Sequence, residues 1–400
     1  MISWPLKIRG LRPIGLDIGH RSIKMIQLAF NGEQAIVHAA DTIRIASGIN
    51  GDVEKRRSFI VSCIKQMLAR GNFQGKNVVS CLPNDKLKIT SLRLAEAEMG
   101  DIEQALQKEV SHRFGLNPDR DLINFLVAGS IRQGDEIRKE LILFAADDET
   151  IKQHIDMLEQ ARLRPVAIDT VPCALFRSFE RLLRRQEDKE QTSVFIDLGS
   201  RFTTVVFGCG GEISFVKQMP LGGEKFNRAI AAKLGISIES AETLRENLRS
   251  EKSSAGTGLQ ASENNNSTDA LTRQAVVDAI SAVAEELARE ISLCFRYFTV
   301  TFRGKRVDRA VFTGGEAHED ILLDVLRRQL PVEIEVAQPL KGFDMTDVKF
   351  DACKRGSLCD WAVAVGLSLK GWHTDSAERM EHVYVGQTRE RRGRDDNERN

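Results

Sequence analysis

Two short stretches, one in each half of the chain, follow the same pattern: Asp17-Ile-Gly-His-Arg-Ser-Ile-Lys24 and Asp197-Leu-Gly-Ser-Arg-Phe-Thr-Thr204. In each stretch an apolar run ends at an aspartate, a glycine permits a tight turn, and polar residues follow. A strand, a tight turn and a returning strand direct successive backbone N–H groups towards one point, which creates an anion-binding concavity. Two such hairpins facing each other would hold a chain of phosphates from both sides.

The side chains of these stretches suit a nucleotide bound with magnesium. Asp17 and Asp197 offer the one or two carboxylates that a hydrated Mg²⁺ uses beside phosphate oxygens, and Lys24 can reach back to a phosphate. A single Asp-x-Gly is usually an ordinary turn. The order of two hairpins followed by Thr313-Gly-Gly315 favours a split nucleotide site. The sequence contains no P-loop and no Gly-x-Gly-x-x-Gly that opens a helix after a strand, which disfavours P-loop and Rossmann folds.

Composition limits the class of protein. A chain of 400 residues with 42% hydrophobic and 28% charged residues suits two or three domains with ample core. The formal net charge is zero, so no global field indicates nucleic acid or a lipid surface as a partner. The seven cysteines form no CxxC pair, which is typical of reduced thiols in the cytoplasm. We find neither a convincing signal peptide nor an apolar run near the roughly eighteen residues of a membrane span, and expect a cytoplasmic protein without direct membrane insertion.

The first half, residues 12–190, is expected to form one domain that carries an insert. Residues 14–47 alternate apolar and polar around Asn31-Gly32, which predicts a hairpin. From about residue 86 to 165 the pattern changes to a small α/β module, with its last helix at 149–162. The polar stretch 186–191 is the expected domain boundary.

The second half, residues 191–375, is expected to form the other domain. Apolar spacing predicts helices at 224–234, 238–249 and 271–298. The segment from about residue 250 to 270 is rich in Ser, Asn and Gly, and we expect a disordered loop. The tail, residues 376–400, is polar and has no apolar stripe for membrane insertion.

The motifs resemble those of a known superfamily. Asp17-Ile-Gly with Lys24, Asp197-Leu-Gly with Thr203, and Thr313-Gly-Gly315 are similar to the phosphate-1, phosphate-2 and adenosine motifs of the actin-like ATPases. Within that superfamily the insert, and phrases such as Pro220-Leu-Gly-Gly-Glu-Lys-Phe226, resemble the FtsA and PilM families over roughly residues 12–370. The resemblance implies an α/β, actin-like (ribonuclease H-like) fold of two domains with an FtsA/PilM-type inserted subdomain.

The resemblance also implies ATP and Mg²⁺ as cofactors, with slow or absent hydrolysis. Asp17 and Asp197 would sit near the metal ion, and Lys24 on a phosphate. The full set of residues expected around the nucleotide is Asp17, Gly19, His20, Ser22, Lys24, Asp197, Gly199, Ser200, Thr203, Gly222, Gly223, Glu242, Arg245, Gly314 and Gly315.

Three positions leave alternatives open. Asp169 falls where chaperone relatives carry an acidic residue that orients water for hydrolysis, but an aspartate at a strand end is also a common capping or turn residue. His20 replaces the usual serine and is either a surface turn residue or a pH-sensitive phosphate contact. Arg245 replaces the usual lysine of an Ala-Glu-x-x-Lys helix, which alters how the base or ribose is held.

The resemblance implies a cytoplasmic ATP-binding scaffold of type IV pilus assembly, peripheral at the inner membrane through a partner. That partner would be a PilN-like inner-membrane protein, bound by its cytoplasmic N-terminal peptide in a groove between the insert and the first subdomain. Self-association stays open. The alternatives are an FtsA-like division ATPase, a relative of the GspL-type secretion proteins, and a small-molecule kinase, for which we find no carboxylate base with substrate contacts.

Overall fold

The computed structural model describes residues 10–371, apart from residues 33, 50, 96–98, 100–101, 134, 181–190, 210, 256–268, 303, 347, 349 and 351–357. The expected boundary at 186–190, most of the expected loop and the polar tail therefore lie outside the described residues. The strands are β1 (Leu11–Ile18), β2 (Ser22–Asn31), β3 (Gln34–Arg44), β4 (Asn77–Cys81), β5 (Lys88–Ala95), β6 (Leu122–Gln133), β7 (Glu136–Ala146), β8 (Arg164–Asp169), β9 (Thr192–Leu198), β10 (Thr203–Cys209), β11 (Glu212–Met219), β12 (Arg309–Thr313), β13 (Glu333–Val336) and β14 (Phe343–Asp344). The α-helices are α1 (Val53–Arg70), α2 (Ile102–Phe114), α3 (Asp148–Gln160), α4 (Val171–Glu180), α5 (Gly223–Leu234), α6 (Ile238–Ala255), α7 (Ala270–Thr301), α8 (Asp320–Gln329) and α9 (Ala362–Ser368).

Two sheets repeat one topology. The first has the order β14-β3-β2-β1-β4-β8 and the second has the order β11-β10-β9-β12-β13. In each, three strands form an antiparallel meander, a fourth pairs in parallel with the first of these, and a fifth pairs in parallel with the fourth. In the first sheet β14 also pairs in parallel with β3. Parallel neighbours require crossover connections, which the helices between them supply. The repeat puts the two Asp-x-Gly hairpins, β1–β2 and β9–β10, at the same place in each half.

Local chemistry sets several helix ends. The Asp52 side chain accepts the Lys55 backbone N–H at 3.1 Å and begins α1, and Asp147 does the same for Thr150 at 2.8 Å and begins α3. Such caps satisfy N–H groups that a helix start leaves without partners. Gly235 ends α5 in the left-handed region with φ of 67°, a conformation that glycine adopts without steric cost.

The long helix α7 has the apolar face that its spacing predicted. Ile280, Val283, Leu287 and Ile291 are all buried in the core of the second sheet. The first residues of the expected disordered loop are helical, because α6 continues to Ala255, and residues 256–268 lie outside the described residues. None of the helices in the described part of the chain is both long and apolar enough to cross a bilayer.

The insert is a third sheet, with the order β5-β7-β6, that packs between a helix and the second domain. On one face Leu141 and Leu143 pack under α2. On the other face Ile142 and Phe144 join the core of the second sheet. Side chains alternate sides along a strand, so β7 is buried on both faces and the insert is docked against the second half.

The last helix of the expected insert packs elsewhere. Met157 and Leu158 of α3 are buried with Ile14 and Leu16 of β1, in the core of the first sheet. The expected module at 86–165 therefore divides: β5, β6, β7 and α2 form the separate layer, whereas α3 packs with the first sheet. The sequence pattern shows that α3 has an apolar face, but it does not show whether that face packs against the first sheet or against the insert.

A buried polar network joins the insert to α7. The Glu140 carboxylate is 1% exposed; it accepts the Arg93 guanidinium at 2.8 Å and the Tyr297 hydroxyl at 3.0 Å. Arg93 also contacts the Tyr297 oxygen at 3.2 Å. These three residues tie β5 and β7 to the second domain.

We expect Tyr297→Phe to weaken this docking. Loss of the hydroxyl leaves a buried carboxylate oxygen without its donor, which costs about 1–2 kcal/mol of unfolding free energy. Urea unfolding and amide hydrogen exchange in β7 measure the effect. Val300→Ala on the same helix is the matched control, because Val300 is 82% exposed. Equal exchange rates in wild type and Tyr297→Phe would contradict the prediction.

Candidate functional site

The two predicted turns have the same backbone geometry. The Gly19 N–H donates to the Ser22 carbonyl at 2.9 Å, and the Gly199 N–H donates to the Phe202 carbonyl at 3.0 Å. Both hydrogen bonds close a loop of equal length after the strand-end aspartate, Asp17 or Asp197. The hairpins are therefore structural equivalents, one from each sheet.

The third motif lies against the second turn. Gly314 has φ of 90°, and a Cβ atom built on it would lie 2.5 Å from the Asp197 Oδ1 atom. Strand β12 runs parallel to β9 with Thr313 opposite Asp197. Around Gly315 a Cβ would meet nothing within 4 Å. The Gly-Gly pair thus lets the backbone approach Asp197 and leaves space beside it.

The start of α5 lies against the second turn. The region between the two turns and the third motif is called the cleft below. The Gly223 N–H donates to the Gly199 carbonyl at 3.1 Å, and the Glu224 N–H donates to the Ser200 carbonyl at 2.7 Å. A Cβ on Gly222 would lie 2.5 Å from the Gly199 oxygen. The four residues predicted around the second phosphate turn, Gly199, Ser200, Gly222 and Gly223, are therefore in one place.

Carboxylates from three separate segments surround Lys24. The Lys24 ammonium is 3.4 Å from the Asp360 carboxylate, and Asp17 and Asp197 also act on its charge. Burial would lower the pKa of Lys24, but Asp360, Asp17 and Asp197 raise it. Burial and the charge of Asp17 raise the pKa of Asp197 to about 7, and burial raises the pKa of Asp17. Three acids face one base, so the floor of the cleft carries excess negative charge.

This floor fits a hydrated divalent cation. Mg²⁺ keeps several waters and is usually held by one or two carboxylates together with phosphate oxygens, which Asp17 and Asp197 can provide from opposite sheets. A cation would relieve the repulsion that raises the pKa of Asp197. No set of three or more His, Cys, Asp or Glu side chains suited to a metal occurs among the described residues.

The sequence analysis missed Asp360. It lies in a short 3-10 turn at Cys359–Trp361, just before α9. The Cys359 carbonyl accepts the Gly314 N–H at 3.4 Å and the Thr313 hydroxyl, which fixes this turn beside the third motif. Its only sequence signal is an acid directly before the apolar run 361–367.

Two residues of the expected site make other contacts. The Thr203 side chain is fully buried and its hydroxyl donates to the Leu221 carbonyl at 2.6 Å. Thr203 therefore joins the second turn to the segment before α5 through its side chain. Ser22 closes the first turn through its backbone oxygen.

Asp169 has the contacts of a structural residue. One carboxylate oxygen accepts the Thr170 N–H at 2.8 Å, and the other accepts Arg177 at 2.9 Å and Lys370 at 3.1 Å. Burial alone would raise the pKa of Asp169, but Arg177 and Lys370 hold it below its ordinary value. Of the two roles left open by the sequence, the turn and ion-pair role matches this geometry.

His20 lies at the mouth of the cleft among arginines. Burial and the charges of Arg201 and Arg56 lower the pKa of His20 to about 4, so the imidazole is neutral at physiological pH. Arg56 of α1 donates to the Gly19 carbonyl at 2.9 Å and to the His20 carbonyl at 3.4 Å, which ties the first turn to α1. A histidine that titrates this low does not act as a switch near pH 7.

Glu242 and Arg245 also differ from expectation. Glu242 forms an ion pair with Arg21 of the first turn. Arg245 is 4% exposed and donates to Glu316 at 2.5 Å, to Glu319 at 2.9 Å and to Asn227 at 3.2 Å. Its guanidinium is also 4.7 Å from the centre of the Phe226 ring. The Arg245 side chain thus holds Glu316 and Glu319, which follow the third motif, against α6.

Arg249, Glu316 and Glu319 complete this cluster, and the sequence analysis missed all three. Arg249 donates to Glu319 at 2.8 Å and to Glu316 at 2.7 Å. Burial would raise the pKa of Glu316, but the two arginines lower it to about 2. The cluster fixes Glu316, which directly follows Gly314-Gly315, to α6.

We expect Arg245→Lys to destabilise the folded chain. An ammonium cannot reproduce a fork that bonds two carboxylates and an amide at once, and the loss is about 1–2 kcal/mol of unfolding free energy. Urea unfolding measures it. The control is Arg228→Lys, because the Arg228 pair with Glu224 is exposed and on one helix, where such pairs contribute about 0.3–0.5 kcal/mol. Equal losses in both variants would contradict the prediction.

Comparison with known proteins identifies the family and the fold of this chain. The family model for the type IV pilus assembly protein PilM matches residues 15–372. The cell division protein FtsA of Enterococcus hirae is 22% identical over 255 residues, which are 58% of this chain and 57% of FtsA. The chain thus matches a little over half the length of that relative.

Solved structures show the same fold. The PilM-PilN type IV pilus biogenesis complex matches with a TM-score of 0.70 and 20% identity, over 91% of this chain and 99% of the matched one. The ethanolamine utilization protein EutJ of Carboxydothermus hydrogenoformans matches with a TM-score of 0.51 and 13% identity, over 92% of each chain. The fold is the actin-like ATPase fold, and since the family match covers most of the chain, this protein belongs to the PilM family of type IV pilus assembly proteins.

Proposed function

We propose that the chain is an ATP-binding scaffold of type IV pilus assembly that binds the cytoplasmic N-terminal peptide of a PilN-like inner-membrane protein. One observation carries the nucleotide part of this proposal: the two equivalent turns and Gly314 meet around Asp17, Lys24 and Asp197. Backbone N–H groups from both turns would face the phosphates. Asp17 and Asp197 would hold Mg²⁺, and the open space beside Gly315 would receive the adenosine.

The contacts of Asp169 support binding with slow or absent turnover. A general base must reach the attacking water with a free oxygen. Here both carboxylate oxygens already accept hydrogen bonds from Thr170, Arg177 and Lys370. When bound, Mg²⁺ would neutralise phosphate charge, and the residues of the chain would hold and orient the nucleotide between the two sheets.

A sheet edge supports the peptide part of the proposal. Strand β8 is the last strand of the first sheet, and its Val166 side chain is 44% exposed. The end of the strand lies beside the connection 82–87 that leads from the first sheet to the insert, because the Leu82 N–H donates to the Asp169 carbonyl at 3.4 Å. An extended peptide can add to such an edge through main-chain hydrogen bonds, with side-chain pockets for specificity. The PilM-PilN complex, which shares this fold, makes a PilN-like peptide the partner to test.

Two titrations test the proposal. Fluorescent ATP is titrated into the chain with Mg²⁺ or EDTA, and labelled N-terminal peptides of PilN-like proteins are titrated with and without ATP. We expect ATP to bind in a Mg²⁺-dependent manner. We expect Val166→Asp to weaken peptide binding at least tenfold, whereas Val53→Asp, at a position that is 80% exposed at the start of α1, leaves it unchanged. A chain that binds no ATP, or a peptide affinity that both variants leave unchanged, would overturn the corresponding half of the proposal.

A further inference from the structure

Each Asp-x-Gly turn carries an arginine four residues after its aspartate. These are Arg21 in the first turn and Arg201 in the second. Arg21 forms an ion pair with Glu242 of α6, and the Arg201 guanidinium is 3.4 Å from the Glu224 carboxylate of α5. Both arginines are thus held at equivalent places by glutamates of the second half.

The two guanidinium groups come from opposite halves of the chain, and both lie near His20 of the first turn. Arg21 belongs to the first hairpin, yet besides Glu242 it interacts with the charges of Glu224 at the start of α5 and Glu316 beside the third motif. Arg201 and Arg21 both act on the charge of His20, which belongs to the first turn. Their side chains are 27% and 47% exposed, so a ligand entering the cleft can reach them.

The Asp17–Lys24 motif lacks one of the hydroxyl donors that would contact a phosphate. His20 stands where a serine hydroxyl is expected, and its neutral imidazole adds no positive charge. The floor of the cleft holds Asp17, Asp197 and Asp360 against Lys24 alone. A guanidinium offers several N–H donors in a planar fork that matches phosphate oxygens. The guanidinium groups of Arg21 and Arg201 would add positive charge on the side of a triphosphate opposite the carboxylates of the floor.

We propose that Arg21 and Arg201 are phosphate-contacting residues that make the cleft selective for nucleoside triphosphates over monophosphates. In the chain without nucleotide, Glu242 and Glu224 neutralise them, and the phosphates replace these carboxylates on binding. The inference rests on the proposed nucleotide function, because it assigns two further residues to the same cleft.

The experiment compares affinities for ATP and AMP, with Mg²⁺, in wild type, Arg21→Gln, Arg201→Gln and Glu224→Gln. A charge-assisted contact contributes roughly 1.5–3 kcal/mol, so each arginine variant should lose about tenfold or more in ATP affinity and less than twofold in AMP affinity. Glu224→Gln, which frees Arg201, should bind ATP a few-fold more tightly. Lys233→Gln is the control, because it also breaks an exposed ion pair of the second half, with Asp278 of α7, at a position ten residues after the start of α5.

Each outcome has one meaning. Loss of ATP affinity in Arg21→Gln and Arg201→Gln but not in Lys233→Gln supports the inference. Equal losses for ATP and AMP, or unchanged ATP affinity with a folded chain by circular dichroism, would overturn it while leaving nucleotide binding intact. If an arginine variant does not fold, the corresponding lysine variant, which keeps the charge, must still bind ATP better than AMP, and failure to do so overturns the inference. Wild type that binds neither nucleotide would overturn the proposed function and this inference together.

Discussion

Replacing Gly366 with alanine is expected to unfold the chain or to remove several kcal/mol of its stability. A Cβ atom at this position would lie 1.7 Å from the Ala174 carbonyl oxygen and 2.5 Å from its carbon. These are backbone atoms of α4, so no side-chain rotation relieves the clash, and α4 and α9 must separate. Overpacking in a closed core costs about 1–3 kcal/mol and sometimes more. Here we expect at least the upper figure.

The same substitution should also disturb the cleft. Helix α9 begins two residues after Asp360 and α4 begins two residues after Asp169, so separation of the helices displaces both acids. Urea unfolding measures the stability, and ATP titration of any folded fraction measures the site. Gly48→Ala is the control, because a Cβ there meets nothing within 4 Å and the change should stay within about 0.5 kcal/mol. Unfolding midpoints that agree for the two variants would refute the argument.

The turns were predictable from sequence because their chemistry is local. Asp17 with Gly19, and Asp197 with Gly199, specify a strand end and a tight turn within a few residues, and the structure contains both turns with matching hydrogen bonds. The doubled topology followed from the order of these signals along the chain. The fold was therefore predictable from short segments together with their spacing and family resemblance.

What sequence did not reveal depends on contacts between distant segments. Asp360 meets Lys24 only because the chain returns to the first sheet through α9, and Glu316 meets Arg245 only after α6 packs against the third motif. The packing of α3 against the first sheet and the bond of Thr203 to the Leu221 carbonyl also depend on contacts between distant segments. No local pattern distinguishes a threonine that faces a ligand from one that supports the turn behind it.

Replacing Asp197 with asparagine is expected to stabilise the chain without nucleotide and to weaken its binding of Mg²⁺ and ATP. Burial and the neighbouring charge of Asp17 raise the pKa of Asp197 from 3.8 to about 7. The folded chain thus binds this proton more tightly than the unfolded chain does. Its stabilising contribution is present below pH 4 and is lost as the pH rises through 7. Asparagine carries no charge and avoids that loss.

The stability difference between variant and wild type should therefore be near zero at pH 4 and largest above pH 7. About 1.4 kcal/mol per pKa unit gives an upper bound of about 4 kcal/mol, and access of water to the cleft reduces it. Urea unfolding at pH 4, 5.5 and 7.5 measures the difference. Asp156→Asn on the exposed face of α3 is the control and should stay within about 0.5 kcal/mol at each pH.

Binding should change in the opposite direction. Without the Asp197 carboxylate, Mg²⁺ keeps only Asp17 from the protein, so ATP affinity should fall at least tenfold and lose its sensitivity to EDTA. A residue that lowers stability when the ligand is absent and raises affinity when it is present belongs to a site shaped for that ligand. If Asp197→Asn were less stable than wild type at pH 7.5, or bound ATP with unchanged sensitivity to EDTA, the acidic floor would be a structural feature and not a cation site.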